Sequence, residues 1–135
     1  MNGMRSINGG ETLSLNKELQ TVIESVQEKK GLEITVLDLK EIASFTDYFV
    51  LCNGESEPQI KSIYKNIDEK MSALGVHPDH VEGRAENGWV LMDYDDFVVH
   101  IFSPEKRTYY DLERLWADVP RLKVEEEPLK AGALR

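Results

Sequence analysis

The chain has little cysteine, no lysine- or arginine-rich block and no long apolar run. Its single cysteine, Cys52, excludes a disulfide within the chain. Because Cys52 lies in an apolar run with no basic neighbour, we expect a buried packing residue rather than a reactive thiol. The apolar runs fall short of the roughly 20 residues of a membrane span, and the start, MNGMRSINGG, lacks the apolar core of a signal peptide. We therefore expect a cytoplasmic protein.

The charge balance is strongly acidic, with 25 aspartates and glutamates against 16 lysines and arginines and a formal net charge of −9. Nucleic-acid binders usually carry a basic patch, because phosphate neutralisation supplies much of their affinity. The longest charge run here is acidic, at residues 125–127. Direct binding of RNA or DNA is disfavoured, and a basic protein partner fits better. The alternative is that the acidity only keeps the protein soluble.

The length of 135 residues fits one domain, and the apolar periodicity predicts alternating helices and strands. We predict a single-domain α/β fold with a mixed sheet flanked by helices. Residues 1–12 are predicted to be a disordered lead, 13–120 the folded domain and 121–135 a mobile tail. The predicted elements are a helix ending at Gly31, strands at Leu32–Leu39 and Tyr48–Cys52, a capped helix from Ser56 to Gly75, a brief strand at Val81–Gly83, a hairpin, and one last helix from Ser103 to Pro120.

The stretch GWVLMDYDDFVVHIF, residues 88–102, has the pattern of a β-hairpin. With Tyr94 and Asp95 as the central turn residues, Trp89 pairs with His100 across the hairpin, and Asp93 lies opposite Asp96. Both faces are apolar, one carrying Trp89, Leu91, Val98, His100 and Phe102, and the other Val90, Met92, Phe97, Val99 and Ile101.

Three helices in a small domain can cover one of these faces fully and the other only in part. The remainder forms an exposed aromatic patch beside an acidic tip, which is typical of a protein interface. The alternative is that the helices cover both faces.

An enzymatic interpretation has a basis in the same stretch. Nucleotidyltransferases hold Mg²⁺ against a triphosphate with a characteristic arrangement of elements. This chain resembles that arrangement, with a strand, a turn at residues 54–56, a helix and then Asp93-x-Asp95. The predicted turn separates the two carboxylates, however, so we predict no catalytic residue. His77 and His80 lack a third nearby ligand and are read as loop residues, so no metal or other cofactor is predicted.

Four motifs in order carry a resemblance to a known family: FTDYFVLCNGES, VEGR, GWVLMDYDDFVVHIF and RTYYDLERLW. From about Leu13 to Trp116 the chain resembles the ribosomal silencing factors, also called RsfS, YbeB or Iojap. The resemblance implies a nucleotidyltransferase-like fold without the catalytic set.

The resemblance also implies a function and a site. Such proteins bind the large ribosomal subunit through a basic ribosomal protein, the fourteenth of that subunit. They block joining of the small subunit, lower translation when nutrients are short, and pair as homodimers when free. Two other hypotheses stay open, a nucleotidyltransferase using Asp93 and Asp95 to hold Mg²⁺ and a homodimeric scaffold. The partner-binding residues that the resemblance implies are Trp89, Asp93, Tyr94, Asp95, Val98 and Tyr110.

Overall fold

The computed structural model describes residues 4–7 and 16–125. Its elements in chain order are β1 (Met4–Ile7), α1 (Lys17–Glu28), β2 (Leu32–Asp38), β3 (Tyr48–Asn53), α2 (Glu57–Ala73), β4 (His80–Arg84), a 3-10 turn (Ala85–Asn87), β5 (Trp89–Asp93), β6 (Phe97–Phe102), α3 (Pro104–Tyr110), α4 (Leu112–Leu115) and β7 (Arg121–Val124).

The strands of the described residues form one sheet in the order β1-β7-β2-β3-β6-β5-β4. The sheet is mixed, because β3 runs parallel to β6 and β1 to β7, while the other neighbours are antiparallel. The structure confirms the predicted single-domain α/β fold with helices flanking a mixed sheet. None of the described helices is long and apolar enough to cross a membrane.

Local sequence signals explain where the two long helices begin. Asn16 caps α1 by accepting a hydrogen bond from the backbone N–H of Leu19 at 2.8 Å. Ser56 caps α2 in the same way, with the N–H of Gln59 as donor at 3.2 Å, and Pro58 lies in the first turn. Each helix turns an apolar stripe toward the sheet, so burial rather than intrinsic propensity stabilises most of its length.

The sheet separates two apolar clusters of different size. The larger cluster lies between the sheet and helices α1 and α2 and includes one face of the hairpin. The smaller cluster lies on the opposite face, where the short helices α3 and α4 and the loop between β2 and β3 cover it in part. Its buried members are Leu37, Leu39, Phe49, Leu51, Val98, Phe102 and Val119. Cys52 is fully buried in the larger cluster, as predicted, and burial raises the pKa of its thiol to about 12.

Two segments predicted to lie outside the folded domain contribute strands. Residues 4–7, within the predicted disordered lead, form β1, and residues 121–124, at the start of the predicted mobile tail, form β7. Strand β7 pairs with both β1 and β2. This pairing orders residues 121–124, although their sequence shows no apolar periodicity. The rest of the predicted lead, through residue 12, and the tail beyond residue 125 lie outside the described residues.

The hairpin register also differs from the prediction. Trp89 pairs with Phe102 and Leu91 with His100, and the two central turn residues are Asp95 and Asp96. Asp95 adopts a positive φ of 73°, which aspartate tolerates better than most residues. Because the partner of each residue moves by two positions, every side chain stays on its predicted face.

The last predicted helix is two short helices rather than one. Asp111 adopts a left-handed conformation with a φ of 47°, which ends α3 and redirects the chain into α4. The apolar spacing continues through this break, which is why the sequence pattern predicted a single helix. The break is important because it sets the positions of Tyr110 and Leu115.

Candidate partner-binding face

A continuous series of aromatic rings crosses the partly covered side of the sheet. The Phe45 ring lies 6.1 Å from Phe49, which contacts His100 at 4.7 Å, and Trp89 stacks on His100 at 6.2 Å, all between ring centroids. Tyr110 continues the series at 5.4 Å from Trp89. The rings come from the β2–β3 loop, three strands and α3, so only the folded chain brings them together.

Several apolar side chains of the β2–β3 loop and of α4 are largely exposed. The exposed fraction is 58% for Phe45, 59% for Ile42 and 71% for Leu115. Large apolar side chains exposed on a small domain are a typical mark of a protein interface. We call this surface the aromatic face and define it by Ile42, Phe45, Trp89, Tyr109, Tyr110, Leu115 and Trp116.

Trp89 anchors the centre of the aromatic face. Its indole N–H donates to Nδ1 of the buried His100 at 3.2 Å, and its ring stacks beside Phe102 at 6.4 Å. This bond requires His100 to be neutral with its proton on Nε2. Burial and the positive charge of Arg107 lower the pKa of His100 from 6.5 to about 4. Trp89 is itself half-buried and so belongs to both the core and the surface.

An acidic corner, defined as Asp47, Asp95 and Asp96, adjoins the aromatic face. The Thr46 hydroxyl donates to the backbone carbonyl of Asp95 at 3.0 Å, and the N–H of Asp47 donates to the carbonyl of Asp96 at 2.9 Å. These bonds attach the β2–β3 loop to the hairpin tip, and all three aspartates are exposed. Negative charge and aromatic surface therefore lie next to each other at Phe45.

A partly buried ion pair lies on the other side of the aromatic face. The Arg107 guanidinium bonds both carboxylate oxygens of Glu113, at 2.9 and 3.0 Å, and it also donates to Asn53 at 2.8 Å and to Thr35 at 3.3 Å. Only 10% of the Arg107 side chain is exposed. Hydrogen bonds from Arg107 hold the pKa of the Glu113 carboxyl below its usual value. One arginine thus links α3, α4 and two strands.

The structure brings together some of the predicted site residues and separates others. Trp89 and Tyr110 lie on the aromatic face, and Asp95 lies in the acidic corner beside it. Tyr94, by contrast, is buried on the opposite side of the sheet, with its ring 5.1 Å from Phe97. Val98 is buried beneath the aromatic face. Neither Tyr94 nor Val98 offers its side chain to a partner in this conformation.

Asp93 has a local role at the hairpin turn. Its carboxylate accepts the backbone N–H of Asp95 at 2.8 Å, and its other oxygen lies 3.6 Å from Nδ1 of His80. Asp93 ends strand β5, whereas Asp95 is a central residue of the turn that follows. No group of three or more metal-ligating side chains able to hold an ion occurs in residues 16–125.

Sequence reasoning missed Ile42, Phe45 and Leu115 as surface residues. Ile42 and Phe45 lie in a loop of mixed composition that has no period, and Leu115 fits the apolar spacing of a buried helix face. The available signal was the first residues of the FTDYF motif, in which a phenylalanine precedes a polar Thr46-Asp47 pair.

The fold and the face together define an α/β domain that exposes an aromatic, acid-flanked surface. A family model described as "Ribosomal silencing factor during starvation" matches residues 12–134. The chain belongs to this family.

Individual relatives agree with the family match. The ribosomal silencing factor RsfS of Halalkalibacterium halodurans is 34% identical over 113 residues, which cover 84% of this chain and 97% of that protein. A mouse protein named "Mitochondrial assembly of ribosomal large subunit protein 1" is 24% identical over 102 residues, covering 73% of this chain and 45% of its own. A crystal structure from Chromobacterium violaceum superposes with a TM-score of 0.72 at 29% identity, covering 88% of this chain and 94% of that one.

Proposed function

We propose that this protein is a translational silencing factor of the cytoplasm that binds the large ribosomal subunit and sterically blocks joining of the small subunit. Its contact on the large subunit is a basic ribosomal protein, the fourteenth of that subunit, as the family resemblance implies. When free, the protein pairs as a homodimer. The chain acts in this proposal by occupying a surface, not by catalysis.

The observation that carries the proposal is the aromatic face with its adjoining acidic corner. Aromatic side chains such as Trp89 and Tyr110 are the residue types that supply most binding energy at protein interfaces. The exposed Asp47, Asp95 and Asp96 supply charge complementary to a basic partner, which speeds encounter and orients it. The names of two relatives, which refer to ribosomal silencing and to the ribosomal large subunit, agree with such a partner.

The mechanism predicts that silencing is stoichiometric and reversible. A protein that occupies a surface silences only as many subunits as it binds, whereas an enzyme that modified the ribosome would turn over many. We expect inhibition of subunit joining to saturate near one copy per large subunit and to reverse after a high-salt wash. The measurement is light scattering of mixed subunits at rising protein ratios. Complete silencing at strongly substoichiometric ratios that persists after the wash would contradict the proposal.

The acidic corner predicts that affinity for the large subunit falls as salt rises. The corner is exposed, and salt screens charge over about 10 Å at 0.1 M. The double variant Asp95→Asn with Asp96→Asn should bind more weakly at low salt and show a shallower salt dependence. Binding is measured by cosedimentation with purified large subunits across a salt series. The matched control is the double variant Glu24→Gln with Glu69→Gln, which removes two exposed charges from α1 and α2. An unchanged slope in the double variant would exclude the corner as a contact.

The nucleotidyltransferase alternative makes an opposite prediction in the same assay. If Asp93 and Asp95 held Mg²⁺ and a triphosphate, added ATP or GTP with Mg²⁺ would change the affinity. In the structure the Asp93 carboxylate is engaged by the turn. We therefore expect no effect of nucleotide on binding to the large subunit.

A further inference from the structure

Tyr110 and Trp116, in one half of the aromatic face, belong to a segment whose helices are too short to be stable alone. This arm, residues 104–116, consists of a seven-residue and a four-residue helix joined at Asp111. Isolated helices of this length are not stable in water. Neither helix contributes a fully buried residue to the core. The apolar contacts of the arm are limited to partly buried residues, among them Leu112 and Trp116, which pack against the smaller cluster. Helix propensity and deep burial therefore do not account for its position on the sheet.

The Arg107 side chain makes the required connections. It joins α3 to α4 through both oxygens of Glu113, and it joins the arm to the sheet through Asn53 at the end of β3 and Thr35 in β2. Asn53 and Thr35 are both buried, so these acceptors are held rigidly. A planar guanidinium that meets a carboxylate with two parallel bonds fixes orientation as well as distance.

A second arginine holds the far end of the arm. Arg121 in β7 donates to the backbone carbonyl of Glu113 at 2.8 Å and to that of Trp116 at 3.3 Å. The carboxylate and the carbonyl of Glu113 are therefore bound by two different arginines. The ion pair at Arg107 is the point at which the strands and both short helices meet.

We expect the ion pair between Arg107 and Glu113 to add little to the free energy of unfolding. Its main effect is to set the orientation of the arm. Arg107 is largely removed from water and Glu113 partly so. This desolvation offsets much of their attraction, so such a pair often stabilises no more than apolar residues of the same size. What it supplies is one defined arrangement. In that arrangement Tyr110 lies 5.4 Å from Trp89, and Trp116 lies 6.1 Å from Phe49 and 6.3 Å from Phe45.

We infer that Arg107 is a positioning residue for partner binding. By holding the arm against β2 and β3, it pre-forms the half of the aromatic face that contains Tyr110, Leu115 and Trp116. A pre-formed face does not have to be ordered during association, so affinity rises although Arg107 itself is nearly buried. The inference rests on the proposed function, because the aromatic face must be the contact with the large subunit.

The test compares Arg107→Lys with a variant of matched stability. Lysine keeps the charge but cannot bond Glu113, Asn53 and Thr35 together. We expect the affinity for purified large ribosomal subunits to fall about tenfold, as expected for loss of pre-organisation. Ile67→Val, in the core on the opposite side of the sheet, is the control that lowers Tm without touching the arm, and it should leave the affinity unchanged. Equal losses in the two variants, or no loss in Arg107→Lys, would overturn the inference.

Hydrogen exchange gives a readout that needs no partner. In Arg107→Lys the backbone amides of residues 104–116 should lose protection while those of α1 and α2 keep theirs. Asn53→Ala, which leaves the ion pair intact but removes one sheet acceptor, should give a smaller loss confined to the same segment. If the wild-type chain fails to bind large subunits, the proposed function fails, and exchange still decides the role of Arg107. Unchanged protection of the arm in both variants would refute it.

Discussion

Phe45→Ala should weaken binding to the large ribosomal subunit by at least about 2 kcal/mol, the loss typical of an aromatic anchor at an interface. Phe45 is 58% exposed and lies between the acidic corner and the Trp116 ring. Because most of its surface already faces solvent, Tm should change little. The measurements are equilibrium binding to purified large subunits and thermal unfolding of the free protein.

A matched control separates this effect from general loss of apolar surface. Leu74→Ala removes a 42% exposed apolar side chain at the end of α2, on the opposite side of the sheet. We expect its affinity to equal that of the wild type. Equal weakening in Leu74→Ala, or none in Phe45→Ala, would show that the aromatic face is not the contact. Trp89→Ala is a less selective test, because Trp89 also supports the core through His100 and Phe102.

Acidification should destabilise the protein through His100 by roughly 2–4 kcal/mol, since each pKa unit corresponds to about 1.4 kcal/mol. The pKa of His100 is lowered from 6.5 to about 4 in the folded chain, with burial as the main cause and the Arg107 charge as the second. Between these values the unfolded state binds the extra proton and the folded state does not. The free energy of unfolding is therefore at its full value above pH 6.5, and it decreases as the pH falls toward 4.

The His100→Phe variant isolates this contribution. Phenylalanine fills the site among the rings but cannot take up a proton, so its free energy of unfolding should depend less on pH across this window. Urea unfolding at a series of pH values measures the difference between the two chains. Glu113 also makes the free energy of unfolding depend on pH. Its carboxyl has a pKa below the usual 4.5, so its ionised form stabilises the fold above that pH, and this stabilisation is lost on further acidification. Parallel pH profiles for wild type and His100→Phe would contradict the assignment.

Local sequence determined most of the elements, because their signals act over a few residues. The caps at Asn16 and Ser56 set the starts of both long helices. Alternating and continuous apolar runs set the strands. The two apolar faces of the hairpin follow from its two-residue period, and a register shift of two residues leaves each side chain on the same face. Strand β7 had no such signal, because its order comes from pairing with β1 and β2.

The sequence by itself determined the acidic charge, the family and the existence of an apolar hairpin face, since composition, motifs and periodicity are properties of the chain alone. Only the tertiary structure decided which side chains reach the surface. Tyr94 and Trp89 both come from the hairpin, yet one is buried under α2 and the other lies on the aromatic face. Phe45 lies beside the acidic corner because Thr46 and Asp47 bond to the hairpin tip. Such contacts join residues far apart in sequence, and no local pattern encodes which of two apolar faces the helices cover.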